Sequence, residues 1–196
     1  MIETSVQKYG YLSIILHWSL AVALIGLYLS GDYMVGLDYY DSWYHRAPEL
    51  HKAIGIVIGF FMLFRFIWNK TKTDLLVLTQ QGLVSFLAYL AHHLFYLLVL
   101  LLVLTGFLFT TAKGQGNDVF GLFTVPALLP ENTELAELSG KLHELLSLGF
   151  MLLFMIHTLA ALYHHFIIKD NSLKLMLGQK NYNQNQNQNQ IKGNSK

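Results

Sequence analysis

The sequence predicts an all-α integral membrane protein, a four-helix bundle with both termini on the cytoplasmic side. Three observations carry that expectation. The chain is 54% hydrophobic and 13% charged, where soluble domains are nearer ~45–50% apolar and ~25% charged. Four apolar runs, Tyr11–Leu29, Ala53–Phe64, Gly82–Ala112 and Leu145–Ile168, contain no Asp, Glu, Lys or Arg. The basic residues between the runs are unevenly divided.

A helix needs ~20 apolar residues to cross a bilayer. The first run meets this, and Ser30-Gly31-Asp32 after it offers no small-residue cleavage site of the kind that would mark a secretory leader. The second is short by itself, and its flanks His51 and Trp68 extend it to spanning length. The third and fourth are long enough without help. Orientation follows from the retention of Lys and Arg on the cytoplasmic side. Lys8, Arg65, Lys70, Lys72, Lys169, Lys174, Lys180, Lys192 and Lys196 share one side if both termini face in. The other side then holds Arg46, Lys52, Lys113 and Lys141 with most of the acids. The outer segments, 31–50 and 113–140, are rich in Tyr, Trp, Gly and Pro and are expected to fold over the outer end of the bundle. Residues 1–178 form the transmembrane domain, and the Asn/Gln-rich stretch 179–196 reads as a disordered cytoplasmic tail.

Composition also excludes chemistry. The absence of cysteine rules out disulfides, thiolate metal sites, iron–sulfur ligation and covalent haem attachment in this chain. A net charge of +1 without a long basic run gives no nucleic-acid surface, and leaves the lipid bilayer as the evident partner. Nine histidines remain as nitrogen ligands.

His143 opens the last apolar run and His157 lies fourteen residues on, about 21 Å along a helix and about 40° around it. Polar groups in lipid are costly and generally have a partner or a task. His51, at the outer start of the second helix, can face His143; His17, in the first, can face His157. Two bis-histidine pairs stacked across a four-helix bundle suit two b-type haems, each iron taking one axial imidazole on either side of its ring. A flat macrocycle also needs small residues beside its ligands, three or four positions along the same face. His17 has Ser13 and Ala21; His51 has Gly55 and then Gly59; His143 has Ser139, Gly140 and Ser147; His157 has Ala160 and Ala161. His92 is flanked instead by Phe95 and Tyr96, and His164 by Ile167 and Ile168, which argues against both as ligands. Depth arithmetic by itself leaves the inner pairing open, because His17 falls between the levels of His157 and His164.

The combination of His17-Trp18, His51-Lys52-Ala53-Ile54-Gly55 leading to Leu63-Phe64-Arg65, Tyr96 to Gly106, Gly121-Leu122 before Pro126, Leu142-His143-Glu144, and His157 through His165 with Lys169-Asp170-Asn171 resembles the bacterial cytochrome b-561 family. The likeness runs from Tyr9 to about Gly178. It implies a di-haem b protein of the bacterial inner membrane with axial ligands His17, His51, His143 and His157, and it selects His157 for the inner pair. One departure is Val103, where the family commonly has a helix proline. One member of that family is a superoxide oxidase that takes electrons from periplasmic superoxide and reduces ubiquinone, so the resemblance implies superoxide and quinone as partners. Superoxide is an anion and needs a local positive field, for which Arg46, Lys52, Lys113 and Lys141 are the outer cations. Quinone reduction takes up protons, and His164 is the candidate donor because imidazole titrates near neutral pH. The alternative reading is a cytochrome b relay that anchors a soluble dehydrogenase or hydrogenase as its redox partner.

Overall fold

The computed structural model describes residues 10–71 and 82–179. The expected tail, apart from Gln179, lies outside the described residues. Helices α1 (Tyr11–Val35), α2 (Arg46–Thr71), α3 (Leu83–Thr111) and α4 (Thr133–Tyr163) form the bundle, and a five-residue helix α5 (Ser172–Met176) follows a π-turn at His164–Ile168. All four long helices are long and apolar enough to cross a membrane. They overrun the uncharged runs at the end that carries residues 36–45 and 112–132, the outer end in the expected orientation: α1 continues through Val35, α2 begins at Arg46, and α4 starts ten residues before His143. The outer segments are therefore shorter than composition suggests. The start of α4 is fixed by Asn132, whose side-chain oxygen accepts from the Leu135 amide at 2.9 Å, and by Glu134 in the first turn, both favourable at the positive end of a helix.

Between α3 and α4 the chain forms a hairpin, β1 (Asn117–Val119) antiparallel to β2 (Phe123–Val125). Gly121 supplies a positive φ in its loop, a backbone region that glycine enters without steric cost. Strand β1 packs on α2, and the connection is stitched to the end of α3. Buried Asn117 donates to Thr110 Oγ1 at 2.8 Å, and the Leu128 amide donates to the hydroxyl of fully buried Thr111.

In the middle of the bundle Leu20, Ile58, Met62, Val99 and Phe150 make one buried cluster, with Phe95 edge-on to Phe150 at 5.6 Å. Phe150 lies midway between His143 and His157 in α4, so this layer separates two levels of histidines. The opposite stripe of α4, including Leu145, Leu148, Leu152, Ile156 and Leu159, is exposed. In hydrocarbon that exposure carries no penalty, since lipid tails are as apolar as leucine. Helix α3 runs without interruption past Val103, and Val103 has a packing role. A Cβ added at Gly59 would come within 2.9 Å of Val103 Cγ2, so Gly59 is what lets α2 approach α3.

Candidate functional site

One level, the outer one in the expected orientation, joins α1, α2, α3 and α4. His51 from α2 and His143 from α4 face each other with ring centroids 6.2 Å apart. Their hydrogens can be assigned from their partners. His143 Nδ1 lies 2.9 Å from the Leu102 carbonyl, which can only accept, so Nδ1 carries the hydrogen and Nε2 keeps its lone pair. Thr105 Oγ1 stands 3.2 Å from the same nitrogen. Ser30 Oγ is 2.9 Å from both His51 Nδ1 and the Leu27 carbonyl. Gly106 clears the way for the His143 ring, since a Cβ there would sit 3.1 Å from Cε1.

At the inner level the structure gathers three imidazoles and a guanidinium. His17, His92, His157 and Arg65 are mutual electrostatic neighbours. His157 is 5.6 Å, centroid to centroid, from His92 and 5.4 Å from Phe95. The sequence argument sets His92 aside as a ligand, and the structure brings its ring beside His157. Of the aromatics that flank His92, Tyr96 turns toward α2, meeting Phe66 and accepting from Asn69, while Phe95 packs edge-on to His157. Arg65 places Nη2 2.9 Å from His17 Nδ1. A guanidinium only donates, so in this arrangement His17 carries its hydrogen on Nε2, and ligation through that nitrogen requires Arg65 to leave Nδ1.

The small residues beside the histidines differ in what they do. A Cβ on Gly55, beside His51, would meet nothing within 4 Å. Gly59 and Gly140 serve helix contacts instead, against Val103 and Phe109, and Ser139 is buried and donates to Leu135 O. Partners the sequence reading missed are Ser30, Thr105 and the Leu102 carbonyl. A signal existed for Ser30: it lies thirteen residues beyond His17, a rise of about 20 Å, matching the separation of His157 from His143.

The remaining expected residues lie at the two ends. Lys113 holds its amine 3.9 Å from the centre of the Phe109 ring, in a cleft of about 370 Å³ that Glu131 and Glu137 also line. Arg46 and Lys141 are exposed and Lys52 is half-buried. At the opposite end His164 Nδ1 pairs with Asp170 Oδ2 at 2.7 Å, across the π-turn and the left-handed Lys169 that closes it. Burial pushes the Asp170 carboxyl up, but hydrogen bonds from Ser172 and His164 outweigh this and hold it below the usual carboxylate range.

The residues present fit a haem group, whose iron could take one ring nitrogen from each of two histidines. His51 and His143, with ring centroids 6.2 Å apart, are the residues that would hold such a group, each giving it one ring nitrogen. Among the described residues no group of three or more His, Cys, Asp or Glu could hold a metal ion by itself, whereas a porphyrin brings its own equatorial nitrogens.

Residues 8–179 match the family described as prokaryotic cytochrome b561. The chain is 40% identical over 176 residues to cytochrome b561 homolog 2 of Escherichia coli strain K12, covering 89% of this chain and 94% of that protein. It is 29% identical over 177 residues to a probable superoxide oxidase of Yersinia pestis, covering 89% and 98%. Cytochrome b561 homolog 1 of Escherichia coli strain K12 is 27% identical over 180 residues, covering 89% and 99%.

Proposed function

Because the chain belongs to the prokaryotic cytochrome b561 family, a family of haem-b-binding membrane cytochromes that carry electrons, we propose that it is a di-haem superoxide:quinone oxidoreductase of the inner membrane. Both termini face the cytoplasm in this reading. His51 and His143 hold the outer group, His17 and His157 the inner one, and the observation that carries the reading is the His51–His143 pair at 6.2 Å with Nε2 free on His143. Haem b supplies reversible one-electron storage when bound. Two superoxide ions each give up one electron and leave as dioxygen, while the two electrons and two protons convert ubiquinone to ubiquinol.

The chain's own residues then have separable tasks. Arg46, Lys52 and Lys141 attract the anion at the outer end, and Lys113 adds less because Glu131 and Glu137 line its cleft. The apolar layer around Phe150 keeps water from the path between the levels. At the inner end Asp170 holds His164 by Nδ1, which leaves Nε2 to pass a proton toward quinone. The relationship to a probable superoxide oxidase supports the choice of donor.

Stopped-flow mixing of the purified protein with superoxide, with and without ubiquinone, tests this. The haem bands should reduce faster than superoxide dismutates, reoxidise only with quinone, and slow steeply as salt screens the cations over a Debye length of about 10 Å at 0.1 M. No superoxide-driven reduction at low salt would overturn the reading. A co-purifying dehydrogenase that reduced the same bands would then replace it with the relay function.

A further inference from the structure

The outer pair is addressed by a third helix whose contribution lies beyond ligation. Ser30 of α1 has one hydroxyl hydrogen and two neighbours at 2.9 Å, the Leu27 carbonyl and His51 Nδ1. If the hydroxyl donated to Nδ1, its contact with Leu27 would carry no hydrogen. If it donates to Leu27, its lone pair accepts from His51 Nδ1–H and both bonds form. The second arrangement satisfies more of these half-buried polar groups and prevails. It places the lone pair of His51 on Nε2, as the Leu102 carbonyl does for His143. Gly31, the next residue, brings the α1 backbone against the same ring, a Cβ there reaching His51 Cε1 at 3.5 Å. The two rings are held differently: His143 by a carbonyl, with Thr105 close by, and His51 by one hydroxyl.

We propose that Ser30 is the positioning residue of the outer site, fixing the tautomer and orientation of His51 from α1 and thereby setting how strongly that imidazole donates to the metal. The proposal rests on the reading that His51 and His143 are ligands. Removing the acceptor leaves Nδ1–H unpaired, makes the ring a poorer donor and weakens binding of the ferric form more than the ferrous. Losses of outer partners of this kind cost about 10–100-fold in metal affinity. A tenfold loss confined to the ferric form raises a one-electron potential by about 59 mV.

The test uses the full chain in detergent, with the outer haem defined as the one lost in His143→Ala. Ser30→Ala should raise the midpoint potential of that haem by about 59 mV, loosen its retention about tenfold and shift its low-spin electron paramagnetic resonance signal. The inner haem signal should stay as it was, which also reports an intact fold. Ser30→Thr, which keeps the hydroxyl, should restore all three. An unchanged outer potential and signal in Ser30→Ala, or equal loss of both haems, would overturn the proposal. The underlying ligand reading fails separately, if His51→Ala retains the outer haem.

Discussion

In the proposed di-haem protein, replacing Gly106 by alanine separates the haem site from the stability of the helix that carries it. The new Cβ would lie 3.1 Å from His143 Cε1 and 3.3 Å from Nδ1, where a relaxed carbon contact sits at roughly 3.5 Å or more. The ring must withdraw from α3 by about 0.4 Å. Its Nδ1 is bonded at 2.9 Å to Leu102 O, one turn earlier on the same helix, so withdrawal stretches that bond to about 3.3 Å, past the usual N–H···O range. The loss is some part of the ~0.5–1.5 kcal/mol that a hydrogen bond contributes. Against it, alanine favours a helix interior over glycine by about 1 kcal/mol. The two terms nearly cancel, so thermal unfolding in detergent should move little. The outer haem should nonetheless be retained less tightly and titrate at a shifted potential, while the inner haem is unaffected. A pyridine haemochrome assay and a redox titration read both. Full outer haem content at an unshifted potential would refute the placement of the His143 ring against Gly106.

Other outcomes follow from the same contacts. His51→Ala or His143→Ala should remove one haem and leave the spectrum of the other largely intact; retention of both would break the outer pairing. At the inner level His17→Ala should abolish the second haem and His92→Ala should preserve it, and the opposite result in haem content would assign His92 as the ligand. Gly59→Ala puts a Cβ 2.9 Å from Val103 Cγ2 and should destabilise the bundle by about 1–3 kcal/mol of overpacking, with Gly59→Ala/Val103→Ala recovering the loss in detergent melts. Asp170 is held below its unfolded value of about 3.9, so its contribution to stability is present above that pH and is lost as pH falls through the lower folded value. Asp170→Asn should flatten acid unfolding of the inner end in that window, measured by hydrogen exchange over residues 164–176.

The four spans and their order were legible in the sequence because lipid forces every backbone group into a helix and excludes charge from the core. Uncharged stretches of adequate length therefore mark them directly. Two levels of histidine were legible for a related reason: rise per residue is fixed, so the separation of His143 from His157 within one helix is a matter of counting. The family likeness, carried by residues such as His51-Lys52-Ala53-Ile54-Gly55, was equally plain.

Tertiary structure decided what depends on how one helix is turned against another. Spacing along α3 put aromatic residues beside His92, yet the rotation of α3 points Tyr96 at α2 and leaves His92 next to His157. Gly55 and Gly59 look alike in sequence, and only the approach of α3 makes the second a contact for Val103. Ser30 and Thr105 are ordinary helix hydroxyls until packing sets them against His51 and His143. A helix's own sequence fixes the heights of its residues, while its azimuth is set by side chains on its neighbours. The proposed ligands could thus be picked from α1, α2 and α4 one at a time, and the groups packed against their rings only from the assembled bundle.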